Sequence, residues 1–523
     1  MVEAEKSEQE LRDHSRVFCP ATHSPDPKVN SFIDGIIDSY FSDLTNIQID
    51  NLRPLLLDLY LAYQYDPDTL LSVSRDKSKY SKKGKYRYRK VSVTFIKVMD
   101  ILYERGFIYR ATHRYYEDTD TYRTGRIWAT DKLVDLFKGV KLNIYSIDQN
   151  YKEQTVILKK RVKILEEEED QGKKKKKPRY RWKKTDYRDN RRTVKWRRDL
   201  NEYNNLLKET HIDIGDLDKP YIERQSNARR YSKRQRVPVN QHNKFCYRVF
   251  NGNFKTGGRL YGGWWQQVRF KGYRQKILIN GKPTVEVDFS GWHIALLYLK
   301  KGIEFDWSRD NDPYDVHIPE INLPKYKRWL LKTIMLVSIN AGDEDSAIQA
   351  IQKTPTPEDI IRPEGLVLTK KFLSSILDKL KEKHSPIAEY FCTGMGIKLQ
   401  NVDGEITMNL IAEYTKLKIP LLAIHDSYVI EDKYGHDLWE SMQNEYQRVA
   451  IENGIEIVED ELGFPDKPRT KAVQFGYYND AFDYEEPDGG KKHKRFMDHK
   501  ELMFMKCLQY MQRFSSFYNR LDQ

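Results

Sequence analysis

Cysteine is scarce and scattered in this chain: 4 in 523 residues, at positions 19, 246, 392 and 507. No two are close neighbours and none falls in a zinc-ligand spacing. That excludes a disulfide-stapled scaffold and a cysteine-built zinc module, and it points to isolated thiols in a reducing compartment. Long apolar runs are missing too. No stretch approaches the roughly 20 residues that a membrane-spanning helix needs. The opening MVEAEKSEQELRDHS carries no apolar signal region. The expectation is an intracellular, soluble protein with no membrane partner, in a host cytoplasm or, alternatively, a eukaryotic nucleus. No internal repeat is visible.

What the chain has in abundance is positive charge. Lysine and arginine total 90 against 77 acidic residues, a net charge of +13, which favours a polyanionic partner but says nothing of fold. The length exceeds one ordinary core and predicts two to four domains.

Composition shifts along the chain suggest five regions. Residues 1–70 read as a helical region, from FIDGIIDSYFSDL and LRPLLLDLYLAY. Residues 71–140 read as a winged-helix module. There VSVTFIKVMDILYERGFI (91–108) has helical spacing and a glycine turn. IYRATHRYY, the turn EDTDTYRTG and RIWATDKLVDLF follow as hairpin and helix. Arg123 and Arg126 then lie in or beside the wing, as duplex or junction contacts, or as surface arginines of a structural wing. Residues 141–240 are heavily charged. LEEEEDQG precedes KKKKKPRYRWKKTDYRDNRRTVKWRRD (173–199), which interleaves Tyr180, Trp182 and Trp196 with cations. Such a segment can join phosphate contacts to base stacking, or it can be a solvated linker. Residues 241–485 read as a large mixed α/β domain, and 486–523 as a basic patch leading into a terminal helix.

The chemistry concentrates in the fourth region. VEVDFSGWHIALLY contains Asp288 and LLAIHDSYVI contains Asp426. Each aspartate follows a short apolar, β-rich run. Two carboxylates on adjacent strands make a clamp for a hard divalent cation. Asp288 alone could equally cap the following helix, and His425–Asp426 could be a polar hairpin turn. Between them, in KYKRWLLKTIMLVSINAG, Arg328, Lys332, Leu336 and Asn340 recur every four residues and fall near one helix face. The two cations on that face could hold the phosphates of a nucleotide.

These motifs, in this order over roughly residues 245–480, resemble the family A DNA polymerases and their relatives, the single-subunit phage and mitochondrial RNA polymerases. The Asp288 segment resembles motif A, which implies Asp288 as a metal ligand and Phe289 as the donor of a main-chain carbonyl. His293 stands where the DNA enzymes often carry glutamate, among the nucleotide-contacting positions. DPYDVH, ending at His317, resembles the segment that follows motif A. Arg328, Lys332, Asn340 and Gly342 resemble motif B, with Asn340 in place of the usual tyrosine near the nascent base pair. KLQNVDGEITMNLI, with Gln400, resembles the template-contacting helix before motif C. IHDSYV resembles motif C, with Asp426 as second metal ligand and His425 supporting the primer terminus. GGRLYGGWWQ, around Arg259 and Tyr261, resembles an upstream template- and hybrid-contacting motif.

The resemblance implies an α+β multidomain protein: a polymerase palm and fingers behind N-terminal helical and winged-helix-like regions, with residues 141–240 a nucleic-acid-binding linker or thumb-like region. It implies a two-metal magnesium site, with manganese as substitute. Partners would be DNA template and primer, nucleoside triphosphates, an RNA product or primer, and replication proteins of a phage or mobile element. No convincing set of spaced acidic motifs for a proofreading exonuclease precedes the palm. Ser427 replaces the glutamate of the DNA branch and matches the RNA branch, so an RNA polymerase or primase is one alternative. A replication initiator with an inactive palm is another, and untemplated transfer and a nuclease are the remaining enzyme classes.

Overall fold

A computed structural model describes residues 15–80, 84–86, 91–111, 114–116, 121–149, 154–163, 180–225, 234–268, 271–307, 311–357, 360–455, 473–475 and 508–521. The fold is mixed α/β, with helices and strands interleaved along the chain. Among the described residues no helix is long and apolar enough to cross a membrane.

Two helices, Pro27–Tyr40 and Asn46–Tyr65, fill the helical stretch expected near the N-terminus. The second starts at a capping box, in which the Thr45 amide donates to the Gln48 side chain at 2.9 Å. Next come the helix Thr94–Glu104, the strand Ile108–Ala111, the short hairpin Arg114–Tyr116 and Thr121–Arg123, the strand Gly125–Ala129 and the helix Asp131–Lys138. Residues 117–120 of the expected wing lie outside the described residues. The sheet order is Ser15–Val17, Leu70–Val73, Gly125–Ala129, Ile108–Ala111. One hydrophobic core runs from Phe18 to Ile147, so the first helices and the strands around the hairpin are buried together. Buried Asp58 locks this unit, accepting from Arg16 at 2.7 Å, the Cys19 amide at 2.9 Å and Gln149 at 2.7 Å.

Arg126 donates inside that sheet to Ser15 Oγ at 2.7 Å and Ser72 Oγ at 3.0 Å, and to the Thr124 carbonyl beside it. It therefore ties strands together at the base of the hairpin. Arg123 lies on the strand Thr121–Arg123.

A second core gathers residues from Val156 to Ala450. It sits between two sheets and their helices. The first sheet has the order Tyr180–Lys184, Val156–Lys163, Cys246–Asn251, Gly257–Gly262. The second runs Ile212–Ile214, Ile277–Ile279, Lys282–Phe289, Ser427–Glu431, Leu422–Ile424, with Val473–Phe475 also paired to Lys282–Phe289.

The basic–aromatic segment divides in two. Tyr180–Lys184 is an exposed strand. Trp196, by contrast, is not free to meet a base: it is 3% exposed and stacks on Phe250 at 5.0 Å. The reason is helical phase. On Arg191–Glu209 it shares a buried face with Thr193, Leu200, Tyr203 and Leu207, while Lys195 and Arg198 point outward. The lysine run 173–177 lies outside the described residues, as does the basic patch 486–507 ahead of the terminal helix Leu508–Tyr518.

Strand periodicity positions the chemistry. In Lys282–Phe289, Val285, Val287 and Phe289 are buried at 1%, 0% and 2% exposure. Each such side chain contributes roughly 1.5–3 kcal/mol of burial, which fixes the register and turns Glu286 and Asp288 to the opposite face. The strand then breaks at Gly291, with φ 58°. A Cβ there would fall 2.6 Å from the Trp307 ring, so only glycine makes this turn. The next helix, Trp292–Lys300, is buried on every side except at Lys300.

Candidate active site

A hairpin and its neighbouring strand bring the two aspartates together. Leu422–Ile424 and Ser427–Glu431 pair with Ile424 opposite Ser427, leaving only His425 and Asp426 in the turn. A two-residue turn that opens with positive φ normally takes glycine there. His425 has φ 60° instead, at a cost of about 1 kcal/mol. Asp288 lies directly opposite Ser427, and the Phe289 amide donates to the Asp426 backbone carbonyl at 3.2 Å. Both aspartates are partly exposed. The Asp288 carboxyl is held well above the usual carboxylate range, by burial first and then by the charges of Asp426 and Glu286. Lys332 and Arg274 act in the opposite direction.

Sequence reasoning passed over Glu286. It shares the Asp288 face, two residues earlier, and its Oε1 accepts from Ser427 Oγ at 2.5 Å and from Arg274 at 2.6 Å. Burial pushes its carboxyl up to about 7 against the pull of Arg274 and Ser427, and the charge of Asp426 adds to the rise. The signal was present in the alternation Val285-Glu286-Val287-Asp288, which puts both carboxylates on one side of a strand.

The helix Pro324–Asn340 faces this pair with its exposed edge. Tyr326, Leu330, Leu331, Ile334, Met335, Ser338 and Ile339 are buried, while Arg328, Lys332, Leu336 and Asn340 are all exposed. The expected stripe is therefore a real face, and Lys332 is within electrostatic reach of Asp288. Arg328 pairs with Asp312, and both cations approach the Tyr314 ring, at 4.8 Å for Arg328 and 6.0 Å for Lys332. Burial raises the Tyr314 hydroxyl to about 12; Arg328 lowers it, and the charges of Asp426, Asp312 and Asp288 raise it further. Tyr314 thus touches the helix cations and feels the charges of the carboxylates. Its loop is pinned by buried His384, which donates from Nε2 to the Pro313 carbonyl at 2.7 Å and accepts from the Tyr298 hydroxyl at 3.1 Å. His317 of the same segment is exposed. Asn340 turns back to the Leu336 carbonyl at 2.7 Å, and its Oδ1 packs against Gly396.

On the other side lies the strand Gly257–Gly262. Arg259 Nε donates to Asp403 at 2.5 Å, and its Nη2 to His293 Nε2 at 3.2 Å. His293 must then carry its proton on Nδ1. Burial and Arg259 lower its pKa to about 4, so a neutral imidazole backs the arginine and does not open onto the cleft as a cation. Asp403 is 1% exposed, and burial lifts its carboxyl to about 7 against the pull of Arg259. Its helix, Gly396–Lys416, lies flush on the strand because Gly404 meets Gly258: a Cβ on Gly404 would sit 2.3 Å from the Gly258 carbonyl oxygen. Gln400 on this helix is partly exposed, and the adjacent Asn401 donates to the Gly257 carbonyl at 3.0 Å. Tyr261 meets His425 edge to face at 6.2 Å.

Chemically the site sets a carboxylate pair within the field of a helix whose exposed edge carries two cations. Among the described residues no group of three His, Cys, Asp or Glu converges as a metal cage. The donors on hand are hard oxygens from two residues. That set suits magnesium, which keeps several waters and shares substrate phosphates, better than a metal needing a full protein cage. The like-charge repulsion felt by Asp288 is what a divalent cation would relieve. The chain matches no protein-family model and no curated protein.

Proposed function

We propose that this chain is a template-directed DNA polymerase, which adds deoxynucleotides to a primer 3′ end in the replication of a phage or mobile element. One observation carries the reading: Asp288, on its strand, lies beside Asp426 in the turn of the neighbouring hairpin, with Lys332 on the facing helix within reach of Asp288. In this reading the sheet bearing the aspartates is the palm and Pro324–Asn340 is the fingers helix.

Asp288 and Asp426 would hold magnesium, with manganese as substitute, and the Phe289 carbonyl would complete the protein's share. Bound there, the metal supplies the charge that favours ionisation of a primer hydroxyl and steadies the triphosphate. The primer 3′-oxygen attacks the α-phosphorus in line; one P–O bond forms and the bond to pyrophosphate breaks. Lys332 offsets charge on the leaving group, joined by Arg328 when it releases Asp312. Tyr261 and His425 form the floor on which a primer terminus rests. Asp403 and neutral His293 hold Arg259 at the edge of the template path, which Gln400 continues.

The test is extension of a labelled primer–template in magnesium, with dNTPs and NTPs in parallel and an unprimed template beside them. Template-matched growth with dNTPs is expected. Growth with NTPs alone, or synthesis without primer, assigns the chain to the RNA polymerase or primase branch. Tight DNA binding without incorporation under any condition makes it an initiator.

A further inference from the structure

We propose that the two-stranded ribbon formed by Lys159–Lys163 and Tyr180–Lys184 is a separate binding surface for single-stranded nucleic acid. Cys246–Asn251 pairs with Val156–Lys159 only, whereas Tyr180–Lys184 pairs with Lys159–Lys163. Among the described residues, the two strands beyond Lys159 pair only with each other and leave the sheet as a ribbon. Tyr180–Lys184 is exposed throughout, with Tyr180 at 45% and Trp182 at 49%.

Register sorts the side chains. Tyr180 lies opposite Lys163, Trp182 opposite Arg161 and Lys184 opposite Lys159; on the other face Arg181 lies opposite Val162 and Lys183 opposite Lys160. One face thus carries both aromatic rings and four cations, and Arg161 already lies over the Tyr180 ring at 4.2 Å. Like charges directly opposite on paired strands destabilise them, and this ribbon places lysine against lysine twice. Among the described residues no carboxylate pairs with Lys159, Lys160, Arg161, Lys163, Arg181 or Lys183. Solvent-exposed rings interleaved with a run of cations form the pattern that binds flexible polynucleotide, phosphates to the cations and bases to the rings. A duplex hides its base faces and would leave the rings unused.

The ribbon also lies on a line with the cleft. Tyr261 pairs with Tyr247, and Arg248 pairs with Val156, so the Tyr261 row meets the neighbouring strand at Thr155. From there to Arg161 is about 20 Å at strand rise. A strand leaving the cleft along the sheet reaches the rings after roughly six nucleotides at the 3.4 Å spacing of stacked bases. This placement rests on the polymerase reading; the binding itself does not.

The experiment compares the full-length protein with Tyr180→Ala/Trp182→Ala and with Arg161→Gln/Lys183→Gln. Fluorescence anisotropy is read with an oligothymidylate of about 20 nucleotides and with a duplex of equal length. All four side chains are on the surface, and circular dichroism checks folding. The aromatic pair should weaken oligothymidylate binding at least about tenfold while duplex binding stays put. The charge pair should lower the salt slope by about 1.4. Oligothymidylate binding within twofold of wild type, or equal loss for duplex, overturns the proposal. An intact ribbon on a chain that never incorporates nucleotide would sink the polymerase reading alone.

Discussion

Ser427 donates its hydroxyl to Glu286 at 2.5 Å across the central strand pair. The acidic group beside the aspartates therefore comes from the neighbouring strand, while the position after Asp426 holds a neutral donor. Arg274 bonds the same Glu286 oxygen at 2.6 Å, so the carboxylate is held from two sides. Glu286→Gln keeps the shape and removes a negative charge next to the aspartate pair proposed to hold the metal. Manganese binding, followed by electron paramagnetic resonance without nucleotide, should weaken about tenfold. Unchanged or tighter binding would put Glu286 outside the field of the pair.

Asp288 makes a pH-dependent prediction. Its folded-state pKa is raised by burial, Asp426 and Glu286, so the folded protein holds a proton that the unfolded chain has released. That contribution is complete below the ordinary carboxylate range and is lost as pH rises towards the folded pKa. Asp288→Asn should thus gain metal-free stability over wild type as pH increases, by about 1.4 kcal/mol for each unit of that window. Urea unfolding at about pH 5.5 and about pH 8 checks it. Buried His211, His242 and His293, all lowered, act alike in both proteins and cancel in the difference. A gap that does not widen with pH contradicts the shift.

The seam between Gly404 and Gly258 has no room for a methyl group, since the nearest atom is a backbone oxygen at 2.3 Å. Gly404→Ala should destabilise by about 1–3 kcal/mol. It should also loosen template contact, because the strand it displaces carries Arg259 and Tyr261. Thermal melting and DNA affinity measured together test this, and a variant as stable as wild type would show that the seam yields.

Lys332 is the exposed cation of its helix that acts on Asp288. Lys332→Ala should raise the nucleotide KM about tenfold, with template affinity held within twofold, as expected for loss of a charged contact worth about 1.5–3 kcal/mol. Equal effects on both substrates would remove it from the nucleotide side of the cleft.

Much of this site was legible because strand and helix periods are rigid. The alternation around Val285 and Val287 and the four-residue spacing from Arg328 to Asn340 both gave the right faces. The hairpin at His425–Asp426 was readable from an apolar run interrupted by two polar residues. What stayed hidden depends on pairing between distant segments. Asp403 meets Arg259 across 144 positions, and the loop that carries Tyr314 is held by His384, 71 positions beyond Pro313. Trp196 misled for the same kind of reason: in a basic run its composition suggested a stacking ring, but helical phase turned it into the core. Arg126, read as lying in or beside the wing, bonds Ser15, Ser72 and the Thr124 carbonyl, contacts that composition alone does not reveal.

The most direct measurement is single-nucleotide incorporation opposite each of the four template bases, by wild type and by Asp426→Asn, with primer–template affinity measured on the same samples. The account predicts that wild type adds the complementary deoxynucleotide, that the variant adds none, and that the two bind primer–template within a few-fold of each other. Incorporation by Asp426→Asn at the wild-type rate would contradict it.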